Sequence, residues 1–388
     1  MPVPTAMADE VATLPNIEGS RFWADEAPAD IREEYRRRMP NLTQIGAEAE
    51  KINGRTQIEI LALSGGGPDG AFGAGLLTGW TERGNRPEFE LVTGVSAGAI
   101  IAPFAFLGPE FDPQIKEIWT EYETSQIATP QVLPGILGGD ALANTAPLRG
   151  LIAKYVNSEF LRRVAAEYRR GRVLTIGTTN LDAKRPVVWN MGEIAIHDSP
   201  DAIQLFRDVI LASASIPGLF PPVNIKVMVG GKLYDELHVD GGVTRQIYVT
   251  PVNLPFTAFD ALYKVRPDRR LYLVQNGKLN PDYEPVEQQT FTIAASSIST
   301  LLLNQNKGDL YRIYRMALDA GVEFNLLSIP TEFTPRDGKQ FDRKYQSALF
   351  EEGRTLGRNG GPWLKRPPDV PDPMPAKTKS AAKKQAAN

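Results

Sequence analysis

Ser96 stands in the pattern Gly94-Val95-Ser96-Ala97-Gly98, which is typical of a nucleophilic serine on a sharp turn. An apolar run at 89–92 precedes it and a small-residue segment at 99–102 follows it, which predicts a strand before the turn and a helix after it. Flanking glycines are expected because so tight a turn strains the backbone and brings it close to its neighbours. We therefore expect the Ser96 hydroxyl to project above a helix N-terminus, where it could attack a carbonyl carbon.

A second glycine-rich segment, Gly65 to Gly70, lies between an apolar strand and a predicted helix. Backbone amides at a helix N-terminus attract negative charge, such as the oxyanion that develops during acyl transfer. Pro68 has no N–H, so the predicted oxyanion donors are the amides of Gly66 and Gly67. The predicted oxyanion hole comprises Gly65, Gly66, Gly67 and, as a helper, Ala97.

The same loop also fits a dinucleotide-binding pattern. Gly65, Gly67 and Gly70 satisfy G-x-G-x-x-G, and Glu90 follows about 20 residues later, as in a nucleotide fold. A nucleotide fold has no use for a serine turn at the end of its next strand, so Ser96 favours acyl transfer and leaves nucleotide binding as the weaker alternative. Asp69 fits the N-cap or the first turn of the helix that follows the loop, where its charge suits the helix dipole, and a structural cap is the favoured interpretation.

Asp240 is the predicted proton acceptor, because it stands between an apolar strand and two glycines. A carboxylate is a weak base near neutral pH, so we expect partial burial to raise its pKa. His238 lies two residues earlier and so on the same face of the strand. A triad of Ser96, an intervening acid such as Asp198 or Asp208, and His238 has the chain order of α/β-hydrolases and remains an alternative.

Composition excludes several classes of function. The chain has 388 residues, 42% of them hydrophobic, and a net charge of -3, which gives no electrostatic reason to expect nucleic-acid binding. It has no cysteine and only two histidines, so thiolate metal sites are excluded, and neither a metal nor another cofactor is expected. No apolar stretch reaches 18 residues and no signal pattern is present, which predicts a cytosolic protein or one whose export segment has already been removed.

Strand and helix patterns alternate through the middle of the chain. This order predicts an α/β fold with a mostly parallel sheet covered on both faces. The first helix is expected to follow the glycine loop, and the helix after Ser96 is expected to kink or end at Pro103. The predicted strands are 57–63, 172–178, 186–189, 271–274 and 323–327, and further predicted helices are 69–81, 147–155, 159–169, one from about 200, and one within 294–320.

Four regions are predicted from composition: an arm at 1–51, a catalytic domain at 52–335, a helical extension at 336–365 and a disordered tail at 366–388. The arm contains one plausible surface helix, 29–38. The tail is rich in proline and lysine, and attraction to an anionic membrane is an alternative role for it. The loop at 131–139 could cover an acyl site, although an ordinary turn explains it as well. The apolar face of the late helix, at Leu310, Ile313, Met316 and Ala317, is expected in the core rather than against a partner.

Together these motifs resemble the patatin-like phospholipase family. The segment 65–70 is similar to its oxyanion loop, 94–98 to its serine turn, Asp240-Gly241-Gly242 to its aspartate motif, and 212–222 to a stretch that precedes that aspartate. The resemblance implies a three-layer α/β/α patatin-like fold and a dyad of Ser96 and Asp240 without histidine. It also implies hydrolysis of a lipid or other acyl ester without metal, with transient contact to a membrane surface. The oligomeric state stays open.

Two positions depart from the family pattern. The family's loop usually carries Arg or Lys where this chain has Asp69, which removes a positive charge beside the oxyanion site. After Asp240-Gly241-Gly242, the segment Val243-Thr244-Arg245 lacks the asparagine often found there. A catalytically silent lipid-binding or interaction domain on the same fold is therefore the alternative from another functional class.

Overall fold

The computed structural model describes residues 1–7, 14–15, 17, 19–26, 51–52, 55–122, 129–130, 143–251, 254–263, 265–280, 282–283, 285–334 and 342–371. The predicted helix at 29–38, the predicted covering loop at 131–139 and most of the predicted tail lie outside the described residues. The four predicted regions stay predictions.

Within the described residues, the main sheet has ten strands and a separate two-stranded sheet pairs β5 with β6. The strands are β1 (Arg21–Trp23), β2 (Lys51–Ile52), β3 (Arg55–Leu63), β4 (Leu91–Val95), β5 (Thr129–Pro130), β6 (Ala143–Asn144), β7 (Val173–Asn180), β8 (Arg185–Asn190), β9 (Val223–Val229), β10 (Lys232–Asp240), β11 (Asp268–Lys278) and β12 (Glu323–Ile329). The main path runs β1-β8-β7-β4-β3-β11-β12. Its five strands from β7 to β12 are parallel, whereas β1, β8, β9 and β10 add antiparallel pairs.

Helices cover both faces of this sheet. They are α1 (Gly70–Arg83), α2 (Ala97–Leu107), α3 (Asp112–Thr120), α4 (Ala146–Tyr155), α5 (Ser158–Arg169), α6 (Met191–Ala195), α7 (Pro200–Ser213), α8 (Thr290–Ala320) and α9 (Arg343–Asn359). Short 3-10 turns lie at Thr5–Met7, Gly67–Asp69, Pro109–Phe111, Gly241–Val243 and Phe256–Leu262.

The central strand β3 shows why the sheet needs a helix layer on each side. Leu61 and Leu63 belong to the core beneath α1 and α2, and Ile60 and Ala62 belong to the core beneath α8. Successive side chains of a strand point to opposite faces, so a strand that is apolar throughout must be covered twice. The three-layer α/β/α arrangement with a mixed, mostly parallel sheet confirms the fold predicted from the sequence.

Two helix predictions need adjustment. The prediction that α2 could end at Pro103 is wrong, because the helix continues to Leu107. Its buried side chains on both sides of the proline, Ile101 and Phe104 among them, pack into the core and offset the missing backbone hydrogen bond. Helix α8 begins at Thr290, earlier than predicted, and its apolar face at Leu310 and Ile313 is buried as expected.

Candidate active site

Ser96 lies between β4 and α2 in a strained conformation, with φ 54° and ψ -120°. A positive φ is unusual for a residue other than glycine and marks a position that the surrounding structure enforces. The flanking glycines allow this turn. A Cβ on Gly98 would lie 2.3 Å from the Leu63 carbonyl oxygen, and one on Gly94 would lie 2.4 Å from the Gly98 carbonyl oxygen.

Ser213, the last residue of α7, ties this turn to the sheet. Its hydroxyl accepts a hydrogen bond from the Ser96 amide at 3.0 Å and donates to the Gly177 carbonyl at 2.6 Å. The side chain is fully buried. The sequence analysis did not assign a role to Ser213, although it lies within the 212–222 segment.

Strand β7 brings Ser96 and Asp240 together. The first half of β7 pairs with the parallel strand β4, up to Val95 opposite Gly177. Its second half pairs with β10, which arrives from the opposite direction and ends with Asp240 opposite Thr178. The last residues of β4 and β10 therefore pair with two neighbouring residues of β7, Gly177 and Thr178. Ser96 follows one end, and Asp240 is the last residue of the other.

The two side chains share a short hydrogen bond. Ser96 Oγ donates to Asp240 Oδ2 at 2.6 Å, and Asp240 Oδ1 accepts from the Gly242 amide at 2.7 Å. Burial raises the pKa of Asp240 to about 6, and the hydrogen bonds from Ser96 and Gly242 only partly oppose this shift. The carboxylate is thus mostly ionised at neutral pH, yet a stronger base than an exposed aspartate.

The glycine loop has two amides free to face an anion, not three. The Gly65 amide donates to the Gln246 carbonyl at 3.0 Å, so the prediction that Gly65 contributes to the oxyanion hole is not supported by its amide. In the part of the chain that the structure describes, no acceptor takes up the amides of Gly66, Gly67 or Ala97. Gly67, Ala97 and Ser96 line the same cavity.

Asn276, near the end of β11, holds this loop in place. Its side-chain Nδ2 donates to the Ser64 carbonyl at 2.8 Å, and its Oδ1 accepts from the Gly73 amide at 3.1 Å. A Cβ on Gly66 would lie 1.9 Å from the Asn276 carbonyl oxygen, so only glycine fits there. Asn276 is not marked in the sequence, because nothing in the local pattern links it to a loop some 210 positions earlier.

Asp69 stands at the predicted N-cap position, directly before α1, but its side chain does not cap the helix. Its backbone already has helical angles, φ -69° and ψ -9°, and no capping bond forms from its side chain, because a capping residue needs an extended backbone. Its Oδ1 accepts instead from the Tyr345 hydroxyl of α9 at 2.6 Å. Burial raises the pKa of Asp69 to about 6, with Tyr345 and Lys278 opposing the rise.

His238 belongs to a different network. Its Nδ1 is 3.0 Å from Thr178 Oγ1 and its Nε2 is 3.2 Å from Glu236 Oε2. The ionised Glu236 carboxylate can only accept, so Nε2–H donates to it. Nδ1 of the neutral ring then accepts from the Thr178 hydroxyl, whose oxygen accepts in turn from the Trp189 indole. Both ring nitrogens are engaged, and burial lowers the pKa of His238. His238 is therefore not placed to accept the Ser96 proton.

The acids considered for a triad also lie elsewhere. Asp208 accepts hydrogen bonds from Arg149 at 2.6 Å and from Gln204 at 2.9 Å, in an exposed cluster. Asp198 lies in a turn with φ 41°. Neither has a hydrogen bond to His238 among the described residues. The structure brings together Ser96 and Asp240, and not the members of the triad.

Glu90 stands at the wrong end of the sheet for dinucleotide binding. It precedes β4 and accepts from the Glu59 amide of β3 at 2.6 Å, and burial raises its pKa to about 7. The glycine loop follows the other end of β3, four residues beyond Glu59, or about 13 Å along the strand. An acid that binds the ribose would have to lie beside the loop. Glu90 therefore cannot be the acid that binds a ribose, and the glycine pattern is left as the support for dinucleotide binding.

An apolar cavity of about 180 Å³ opens beside Ser96. Helices α2, α3 and α4 and the segment 214–220 supply most of its wall, together with Gly67 and Pro68 of the glycine loop. The lining residues are Gly67, Pro68, Ser96, Ala97, Ile100, Ile118, Trp119, Leu148, Leu151, Ala214, Ile216, Leu219, Phe220 and Gln346. Within the described ranges, no group of three or more His, Asp or Glu side chains could hold a metal ion.

The sequence model of the family described as patatin-like phospholipase matches residues 61–253. This region is a patatin-like phospholipase domain. The match confirms the resemblance, and the patatin-like domain runs from β3 to the segment after β10, so it contains both Ser96 and Asp240. Members of this family act on lipid esters, which supports a hydrolase at the level of the family.

Comparison with individual proteins adds less than the family match. No curated protein matches the chain. Among matching solved structures is the crystal structure of VipD from Legionella pneumophila, with a TM-score of 0.35 and 12% identity, covering 80% of this chain and 69% of that one.

Proposed function

We propose that the protein is a serine acyl hydrolase that cleaves carboxylic esters of lipids through a dyad of Ser96 and Asp240. The observation that carries this proposal is the hydrogen bond of 2.6 Å from Ser96 Oγ to Asp240 Oδ2. It joins a nucleophile to a buried base whose pKa is raised to about 6, at the mouth of an apolar cavity. A base with a pKa near the working pH is best suited to transfer a proton.

In the first half of the reaction, Ser96 Oγ attacks the ester carbonyl carbon as its proton passes to Asp240 Oδ2. The carbonyl oxygen becomes an oxyanion and accepts hydrogen bonds from the Gly66 and Gly67 amides, with Ala97 as a third donor. The tetrahedral intermediate then expels the alcohol, which takes the proton from Asp240. The acyl group remains bound to Ser96.

In the second half, a water molecule takes the place of the alcohol. The oxygen of this water attacks the acyl carbon while Asp240 accepts one of the water's protons. The negative charge that develops on the carbonyl oxygen is held by the same backbone amides. Collapse of the second intermediate breaks the bond to Ser96 Oγ, which recovers its proton from Asp240. The products are a free fatty acid and the original enzyme.

The cavity supports an apolar acyl substrate. Ile100, Trp119, Leu148 and Phe220 are among its lining residues, so binding a hydrocarbon chain removes apolar surface from water on both sides. An engineered cavity of about 150 Å³ holds one benzene molecule. The volume of about 180 Å³ thus suits the first part of an acyl chain, with the rest extending toward solvent.

We further propose that α8 makes the contact with the lipid surface. This helix has 31 residues and is about 46 Å long, whereas the seven-residue β12 beside it spans about 23 Å. Its first half therefore projects past the sheet edge where β11 ends. There Ile293, Ile298 and Leu301 are 48%, 53% and 70% exposed, and no side chain described before Asn306 is buried.

The projecting half of α8 has two further features that suit an interface. It contains no charged residue from Thr290 to Asn306. The end of this half that joins the rest of α8 lies close to Asp240. There Gln305 Nε2 donates to the carbonyl of Thr244, four residues after Asp240. A helix that exposes isoleucine and leucine side chains among uncharged polar ones can lie at the boundary between lipid headgroups and acyl chains, with its apolar side chains among the acyl chains. Among the described residues, no helix has the length and apolar character needed to cross a bilayer.

The contact with lipid is tested by replacing Leu301. Leu301→Asp is expected to lower hydrolysis of phospholipid vesicles about fivefold and to leave hydrolysis of a soluble short-chain ester unchanged. Asn304→Asp is the matched control, since it adds the same charge to the same helix without removing apolar surface. Equal effects of the two variants on vesicles would contradict the proposed contact.

The proposed activity is tested by labelling and by turnover. Wild-type protein should react with a fluorophosphonate probe at Ser96 and hydrolyse short-chain and phospholipid esters, because only an activated serine attacks such a probe. Ser96→Ala should abolish both, and Ser158→Ala, which replaces an exposed serine of α5 that does not line the cavity, should change neither. An unlabelled wild-type protein that still binds lipid would favour the catalytically silent alternative.

A further inference from the structure

Helix α9, which lies outside the family match, packs directly against the backbone of α1. A Cβ on Gly75 would lie 1.9 Å from the Phe350 carbonyl oxygen, and one on Gly79 would lie 1.9 Å from that of Arg354. The contact is reciprocal, since Cβ atoms on Gly353 and Gly357 would lie 2.2 Å from the carbonyl oxygens of Phe72 and Leu76. Two backbones in such close contact fix the position of α9 relative to α1.

The first turn of α9 points at the glycine loop. Tyr345 is only 7% exposed, its ring packs edge-on against Phe333, and its hydroxyl donates to Asp69 Oδ1 at 2.6 Å. Burial and the nearby Asp69 carboxylate raise the pKa of Tyr345, so its hydroxyl stays protonated and remains a donor. The next residue, Gln346, lines the acyl cavity.

Asp69 is the last residue of the loop that carries the proposed oxyanion donors. Its amide donates to the Gly66 carbonyl at 3.1 Å, and its carboxylate is held by Tyr345. The loop is thus fastened at both ends, by Asn276 at Ser64 and by Tyr345 at Asp69. Gly66 and Gly67, the two residues with free amides, lie between these anchors.

We propose that Tyr345 is a positioning residue, which holds the oxyanion loop in its catalytic geometry through Asp69. This inference rests on the proposed function. Oxyanion donors act only when they are fixed in advance at the position where charge develops. Tyr345 touches neither substrate nor Ser96 and acts through the loop. The helical extension predicted at 336–365 is accordingly part of the catalytic unit.

The test compares Tyr345→Phe with Tyr311→Phe. Both remove one hydroxyl that bonds an aspartate, because the Tyr311 hydroxyl donates to Asp369 Oδ2 at 3.0 Å on an exposed surface. Tyr345→Phe is expected to lower kcat about tenfold on a soluble ester, with KM within twofold. Its unfolding temperature should fall by only a few degrees, because the buried Asp69 carboxylate loses one hydrogen bond while the packing of the ring is kept. Hydrogen exchange of the hydrogen-bonded amides within 64–70, those of Ser64, Gly65, Asp69 and Gly70, should become about tenfold faster. Tyr311→Phe should change none of these.

Variants of Asp69 sharpen the assignment. Asp69→Asn keeps an acceptor for the Tyr345 hydroxyl and should retain more activity than Asp69→Ala. The double variant Tyr345→Phe with Asp69→Ala should be no slower than Asp69→Ala alone, because both changes break one contact. Additive losses in kcat would overturn the coupling.

The exchange measurement separates this inference from the proposed function. Unchanged exchange at 64–70 in Tyr345→Phe overturns the anchoring, whatever the activity. Faster exchange with unchanged kcat overturns the catalytic part of the inference. A wild-type protein that neither hydrolyses esters nor reacts with the probe refutes the proposed function, and the exchange rates then still decide whether Tyr345 anchors the loop.

Discussion

Asp240 and Glu236 are two buried carboxyl groups on the same strand, β10, and their surroundings shift their pKa values in opposite directions. Glu236 accepts hydrogen bonds from Arg21 and His238. Although burial raises the pKa of Glu236, these partners lower it to about 2. Asp240 has no cationic partner among the described residues, only the Ser96 hydroxyl and the Gly242 amide, and burial raises its pKa to about 6.

The difference shows which of the two groups is suited to chemistry. The chain of hydrogen bonds from Trp189 through Thr178 and His238 to Glu236 leaves each group with a partner. A charge that is fully compensated is held in one state and stabilises the fold. A charge that is buried without compensation is ready to accept a proton, and such perturbed groups concentrate at functional sites.

The largest expected effect comes from removing the two candidate bases in turn. Asp240→Asn and His238→Gln each replace a proton acceptor by an amide of similar size. We expect Asp240→Asn to lower kcat by about 10³-fold or more, because the attacking hydroxyl loses its base. His238→Gln should keep kcat within about fivefold of wild type. Steady-state hydrolysis of a soluble ester measures both.

The reverse order of effects would identify His238 as the base and reject the dyad. Loss of activity in both variants is assigned only after the folded fraction of each has been measured, by circular dichroism. Dividing the measured rate by this folded fraction gives kcat per folded molecule.

The second effect is on stability. His238→Ala should lower the free energy of unfolding by about 2 to 4 kcal/mol, since it opens a cavity and removes one hydrogen bond from each of its buried partners, Thr178 and Glu236. Denaturant unfolding at pH 7 measures this loss. A change below about 1 kcal/mol would show that the network around Glu236 is not a stabilising element.

The third and smallest effect has the opposite sign. The pKa of Asp240 is about 6 in the folded protein and near 3.8 when unfolded, so the stability that this group contributes is lost as the pH rises through this window. Above pH 6 the wild type carries the full cost of a buried charge. Asp240→Asn should therefore be more stable by about 1 to 2 kcal/mol at pH 8 and nearly equal to wild type at pH 4. A variant that is less stable at pH 8 would contradict this.

The sequence predicts the parts of this site that depend on local geometry. The turn around Ser96 follows from flanking glycines that leave room for close backbone contacts, and Asp240 follows from an apolar strand that ends in two glycines. Alternation of strand and helix patterns predicts the sheet and its two helix layers. These features are encoded within a few residues of one another, which is why periodicity and spacing reveal them.

Other parts of the site depend on contacts between distant segments. Asn276 and Tyr345 reach the glycine loop from about 210 and 276 positions away, and no local pattern marks either residue. The Gly65 amide does not face the oxyanion site, because it donates to the Gln246 carbonyl. The Asp69 side chain does not cap α1, because its backbone is already helical. His238 was a plausible base from strand alternation alone, but its partners are fixed by the pairing of β10 with β7.

The central claim is that Asp240 is the base, and the dependence of kcat/KM on pH tests it most directly. The claim predicts a rate that rises about tenfold per pH unit up to about pH 6 and is constant above pH 7. Because free histidine titrates near 6.5 and the pKa of Asp69 is also raised to about 6, the profile is measured in His238→Gln and Asp69→Asn as well. If kcat/KM still falls below about pH 6 in both variants, Asp240 is supported as the base. If this fall at low pH disappears in either variant, the claim that Asp240 is the base is contradicted.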